Sequence, residues 1–97
     1  MAKLILSSSA SRWKNSKISQ YPDIRAFIEK LESMVREKPE RGLKDAELSV
    51  NGKTIPCYKH SVNISLFPHR NAIGYGFITA NYTYNKSIVY IVKMNFA

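Results

Sequence analysis

Cysteine is almost missing from this chain: Cys57 is the only one in 97 residues. A single thiol cannot close a disulfide within the chain, and the usual thiolate metal sites need at least two. The expected compartment is therefore a reducing one, the cytoplasm. Long apolar runs are missing too. At the start, "MAKLILSSSA" holds only Leu4, Ile5 and Leu6 as a block of large apolar residues, shorter than the core of a signal peptide, and no stretch approaches membrane-spanning length. The Walker A loop, GxGxxG, GxSxG, HExxH and paired-cysteine zinc spacings are all absent, so neither a metal nor a small-molecule cofactor is expected. Carboxylates are scarce and confined: all 7 Asp and Glu lie between Asp23 and Glu47. Glycosidase-like carboxylate chemistry has little to draw on outside that stretch.

What is present is cation. Lys and Arg number 15, giving a net charge of +8. On a chain that fits one domain, residues 1–97, this excess attracts polyanions through counterion release, whatever their sequence. Nucleic acid is the default partner. The confinement of the carboxylates leaves both ends of the chain purely basic, whereas an excess serving solubility alone would be spread more evenly.

The hydrophobic pattern outlines the elements. "AKLILSS" reads as a short strand. "SSSASRWKNSKISQ" is polar and basic, with Trp13 and Ile18 as its large apolar residues, and reads equally as a loop or as a first helical turn or two. In "YPDIRAFIEKLESMVREKP", Ile24, Phe27, Ile28, Leu31 and Val35 follow helical spacing. Pro22 and Asp23 suit the first turn of that helix and Pro39 ends it. "ERGLKDAEL" has no decisive period and reads as a short helical turn leading into a strand. Asn51-Gly52 between runs containing β-branched residues predicts a hairpin, with Pro56 marking an edge or bulge. "SVNISLF" alternates and predicts a strand with Val62, Ile64 and Leu66 on one face. "AIGYGFITANYTY" and "SIVYIVKMNF", joined around Asn85-Lys86, predict a second hairpin. Three N-x-[ST] matches, at Asn63, Asn81 and Asn85, read as polar strand and turn residues. The expected fold class is α+β: an N-terminal strand, one long helix with room for a second short one, then an antiparallel sheet of three or more strands.

This order, with the size, the charge and the pattern "IGYGFITANYTYNKSIVYIVKM" built on Gly74, Tyr75 and the run Ile88 to Val92, resembles the RelE/ParE superfamily of small basic bacterial toxins. The resemblance covers most of the chain. It implies a RelE-like fold and a metal-free endoribonuclease acting on messenger RNA at the ribosome, neutralised by an antitoxin protein with an acidic segment. Basic residues, with His, Glu or Tyr in some members, would do the work on the concave sheet face. ParE-like members bind DNA gyrase instead, so a non-catalytic nucleic-acid-binding or gyrase-targeting module of the same fold is the alternative. A small phage or viral protein gripping a host factor is a third reading. The sequence departs from the family pattern at Gly76, where Arg is expected, and carries Lys93 as the one basic residue near the end of the last strand.

Metal-free RNA cleavage needs a base for the 2′-hydroxyl, an acid for the leaving 5′-oxygen, and cations for the charged phosphorane. The catalytic candidates are His69 and Arg70, adjacent in a loop, together with His60 and Lys93. The plainer reading of each His, and the favoured one, is a surface or strand-end residue without a catalytic task. By alternation Lys93 shares a face with Val89 and Ile91, and so points into a groove or marks the end of the sheet. The nucleic-acid-binding candidates are Arg12, Trp13, Lys14 and Lys17, which mix cations with a large aromatic; Lys53 and Lys59 beside strands; and Tyr82 and Tyr84, which with Tyr75 and Tyr90 could stack on bases. Against these stand plainer roles: Trp13 filling the core, edge lysines opposing aggregation, and tyrosines packing a sheet.

Overall fold

The computed structural model describes residues 2–97, and the side chains of all of these but Val50. Its elements are strand β1 (Lys3–Leu6), helices α1 (Ser8–Gln20) and α2 (Arg25–Glu37), strands β2 (Leu43–Val50) and β3 (Lys53–Asn63), a single helical turn α3 (Arg70–Ile73), and strands β4 (Phe77–Tyr84) and β5 (Ile88–Phe96). The five strands form one sheet in the order β1-β5-β4-β3-β2. The fold is α+β, and the sheet is mixed rather than antiparallel throughout, because β1 runs parallel to β5.

Both helices pack on one side of this sheet. The apolar stripe of α2 was plain in the sequence: Ile24 in the preceding 3₁₀ turn, then Ile28, Leu31 and Val35, are fully or almost fully buried. They meet Val62 of β3, Ile78, Ala80 and Tyr82 of β4, and Val89, Ile91 and Met94 of β5. The polar segment "SSSASRWKNSKISQ" is a full helix as long as α2, not a short one. Its apolar content is too thin to predict it, and docking supplies the rest: Ala10 is buried, Trp13 and Ile18 lean on the core, and Lys14 makes two hydrogen bonds of 3.0 and 2.9 Å to the buried Glu32 of α2. Ser7 caps its start, accepting from the Ala10 amide at 3.0 Å.

The β2–β3 hairpin turns at Asn51 and Gly52, with φ of 51° and 78°, as a type I′ turn requires. Pro56 pairs with Glu47 at a slip of register between Lys44 and Glu47 and precedes the β3–β4 ladder, which begins at Tyr58; the proline thus sits at a bulge, where a missing amide is tolerated. The strand expected over "SVNISLF" stops earlier. Asn63 Oδ1 accepts the Ser65 amide at 2.7 Å and turns the chain, so Ile64 is buried whereas Leu66 is 89% exposed. Asn85 does the same at the β4–β5 turn, accepting from the Ser87 and Ile88 amides. Asn63 and Asn85 are thus turn residues, and Asn81 is a strand residue.

Candidate nucleic-acid interface

The sheet face away from the helices is built by the residues that alternate with the core. On β4 these are Thr79, Asn81 and Thr83, between the fully buried Ile78, Ala80 and Tyr82. Cross-strand pairing sets Lys59 of β3 and Lys93 of β5 on either side of Asn81. The next row is Ser61, Thr79 and Asn95, in which the Ser61 and Thr79 hydroxyls share a 2.8 Å hydrogen bond. On β1, Lys3 and Ile5 alternate with the core-facing Leu4 and Leu6, which adds a third lysine at the edge. Asp45 of β2 reaches this face as well: it accepts from Asn81 Nδ2 at 2.9 Å and lies 3.8 Å from Lys59 Nζ. That ion pair is half exposed and weak, so it leaves the lysine ready for a phosphate.

Lys93 reaches this face through a bulge. Tyr82 pairs with Ile91 but Asn81 pairs with Lys93, so Val92 is an extra residue that inverts the alternation of β5. Ser7 holds the bulge from β1's end, its amide donating to Ile91 O at 2.9 Å and its hydroxyl to Val92 O at 2.5 Å. Simple alternation had put Lys93 on the face of Val89 and Ile91; the bulge moves it to the opposite one.

The four catalytic candidates do not meet. His60 pairs with Ala80 on the helix side, where it lines a hollow of ≈ 250 Å³ with Met34, Lys38 and Arg41. Its Nε2 is buried there without a hydrogen-bond partner. His69 and Arg70 are exposed beyond the end of β3, and the His69 ring lies 5.5 Å from those of Tyr21 and Phe67. Lys93 is on the opposite face of the sheet from His60. Among the binding candidates, Lys59 joins Lys93, while Lys53 lies exposed at the tip of the β2–β3 hairpin. Arg12, Trp13, Lys14 and Lys17 belong to α1 rather than to a loop. Arg12 is exposed, Lys14 is bound to Glu32, Trp13 packs edge-on to Phe96 at 5.0 Å, and Lys17 Nζ lies 5.7 Å from the same ring.

Tyr82 is ruled out as a stacking platform, because it is 0% exposed and its hydroxyl donates to Pro39 O at 2.6 Å. Tyr84 is more open but stands with Tyr58 on the helix side, 5.2 Å from its ring, away from the lysine row. Burial, reinforced by the neighbouring Tyr84, pushes the Tyr82 phenol up to about 12. The unfolded chain gives up this proton near pH 10, so between pH 10 and 12 the folded state holds a proton that the unfolded state has lost. Stability should therefore fall by about 1.4 kcal/mol per pH unit across that window. Tyr82→Phe should flatten this part of an alkaline unfolding profile followed by circular dichroism.

Cys57 lies on the helix-free side but is buried. Burial and, second, Asp45 raise its pKa, which keeps the thiol protonated and a poor nucleophile. Among the described residues, no cluster of three or more His, Cys, Asp or Glu could hold a metal ion, and no helix is long and apolar enough to cross a membrane.

No protein-family model, curated protein or solved structure matches this chain.

The site thus rests on geometry and charge alone. Asn81, Thr79, Asp45, Asn95 and Lys3 complete it and were not read as site residues from the sequence. For Asn81 and Thr79 the signal was available, since they alternate with Ile78, Ala80 and Tyr82. For Asp45 it was not, because the irregular β2 segment hides which way that carboxylate turns.

Proposed function

We propose that this chain is a basic, RelE-like protein that binds RNA through the helix-free face of its sheet. The observation that carries this reading is the row Lys59, Asn81 and Lys93 across three neighbouring strands, with Lys3 two strands from Asn81. Lysines spaced along a polar sheet face offer point charges to successive phosphates, while Asn81 and the exposed Ser61 hydroxyl, held by the buried Thr79, offer hydrogen bonds to phosphate, sugar or 2′-hydroxyl. The distribution of acid supports it: α1, β3, β4 and β5 carry no carboxylate, and five of the seven lie along α2 and its two flanking turns, on the far side of the sheet. That surface, on which Asp45 is the one carboxylate the contacts place, is also what an acidic antitoxin segment would cover, and a bacterial cytoplasm is where such a pair would act.

Asp45 favours a second reading, the metal-free endoribonuclease. A carboxylate beside Lys59 on this face could take the proton of a 2′-hydroxyl as its oxygen attacks phosphorus, with Lys59 holding the phosphorane charge and Lys93 giving a proton to the 5′-oxygen as its bond to phosphorus breaks. Induced expression in bacteria separates the two. Growth arrest with messages intact by primer extension is the expected result of binding alone. Discrete new 5′ ends would move the conclusion to the ribonuclease; their loss in Asp45→Asn would place the base at Asp45, and their loss in the His69→Ala, Arg70→Ala variant would place the site at α3. No arrest, with no RNA retained by the purified protein, would end both readings.

A further inference from the structure

The end of the sheet where β4 begins carries rings that neither the core nor the lysine row uses. Phe77 is 45% exposed and Tyr75 53% exposed, although both belong to a backbone held firmly in place. The Gly76 and Phe77 amides donate to Ala97 O at 3.1 and 2.9 Å, and the Ala97 amide donates back to Phe77 O at 2.9 Å. Phe77 alternates with the buried Ile78 and therefore lies on the helix-free face, in line with Thr79 and Asn81. At ~3.3 Å per residue it stands about 13 Å along the strand from Asn81. Tyr75, just beyond, lies round the end of the sheet: it stacks at 12° on Phe96 with centroids 6.4 Å apart, and Phe96, which pairs with Ile78, faces α1, with Lys17 over its ring.

Exposed large rings on a rigid strand end cost free energy in water, and here Phe77 shares the face of the lysine row while Tyr75 flanks it round the end of the sheet. Rings beside a phosphate-binding track are what single-stranded nucleic acid requires, since every base has a face to stack and every linkage a charge to neutralise. A duplex hides its base faces. Building on the RNA-binding reading, we infer that Phe77 and Tyr75 are stacking platforms for unpaired bases of a single-stranded RNA whose phosphates lie on Lys59 and Lys93. The RNA crosses the sheet along the row of lysines, then turns down β4 to stack a base on Phe77 and, round the end of the sheet, the next on Tyr75.

The test is fluorescence-detected binding of the full chain to a single-stranded oligouridylate carrying one 2-aminopurine, and to an RNA duplex of the same length. Phe77→Ala and Tyr75→Ala should each weaken single-strand binding about tenfold and relieve the stacking-induced quenching of 2-aminopurine, with duplex binding unchanged; Phe77→Trp should retain both affinity and quenching. Both sites are exposed, and unchanged circular dichroism shows that the variants fold. If single- and double-stranded RNA bind equally, or if both alanine variants bind and quench like the parent while Lys59→Ala and Lys93→Ala still weaken binding, the stacking site is wrong and the phosphate track survives. If the parent binds no RNA, both fall together. If the rings seat a second copy of the chain, sedimentation shows dimers that Phe77→Ala abolishes without loss of RNA affinity, and the proposal is overturned.

Discussion

Replacing Tyr82 by alanine should cost about 3–5 kcal/mol of stability, read as a fall in the urea midpoint at unchanged slope. Tyr82 is the largest side chain of the core with no exposed surface. Its ring forms a triangle with those of Tyr58 and Tyr84, at 6.1 and 6.3 Å, and its hydroxyl ties β4 to the 3₁₀ turn that follows α2. A domain of this size has about 5–15 kcal/mol in total, so the variant should be close to unfolding at room temperature. Tyr82→Phe keeps the ring and should lose only about 1 kcal/mol. Gly42→Ala presses on the same group from the other side, since a Cβ there would collide with the Tyr82 hydroxyl and its ring carbon. We expect it to cost about 1–3 kcal/mol, and less in the Tyr82→Phe background, because removing the hydroxyl relieves part of the overlap. Strict additivity of the two changes would mean that the close approach is not where the structure places it.

Replacing Lys59 and Lys93 together by alanine should weaken binding to single-stranded RNA about 25-fold at 0.1 M salt. Each phosphate contact to a single strand contributes a salt dependence of ~0.7, which at 0.1 M is about 0.7 of a decade in affinity, so two contacts give about 1.4 decades. The loss should be the same for any sequence, since a lysine on a phosphate carries no base information. Lys53→Ala, at the far hairpin tip, should change affinity little. A double variant that binds as tightly as the parent would place the interface elsewhere, α1 with Arg12 and Lys17 being the next most basic surface.

How far the sequence revealed this site depends on which physical signal each residue carries. The α2 helix and the Asn51-Gly52 turn were legible because each is set locally, by apolar spacing in one and by positive φ in the other. The α1 helix was not. Its serines are indifferent helix formers, and what holds it is remote in the chain: β5 beneath it, and Glu32, eighteen residues beyond Lys14. Lys93 was misplaced by one extra residue, because a bulge leaves the composition of a strand unchanged while reversing its faces. Tyr82 looked like its neighbour Tyr84, with the same chemistry two residues apart, and only the position of the Pro39 turn decides that one is core and the other open. The dispersal of His60, His69, Arg70 and Lys93 over separate surfaces has the same origin, since which residues share a face is fixed by register and turns that alternation alone does not give.

The central claim is that the helix-free face of the sheet is the phosphate track, and the most direct test is the salt dependence of oligouridylate binding by the parent and by the Lys59→Ala, Lys93→Ala variant. With Lys3, Lys59 and Lys93 each on a phosphate, the logarithm of the association constant should fall with the logarithm of salt at a slope of about −2, and at about −0.7 in the variant. A flat profile in the parent, or the same slope in both proteins, would contradict the claim.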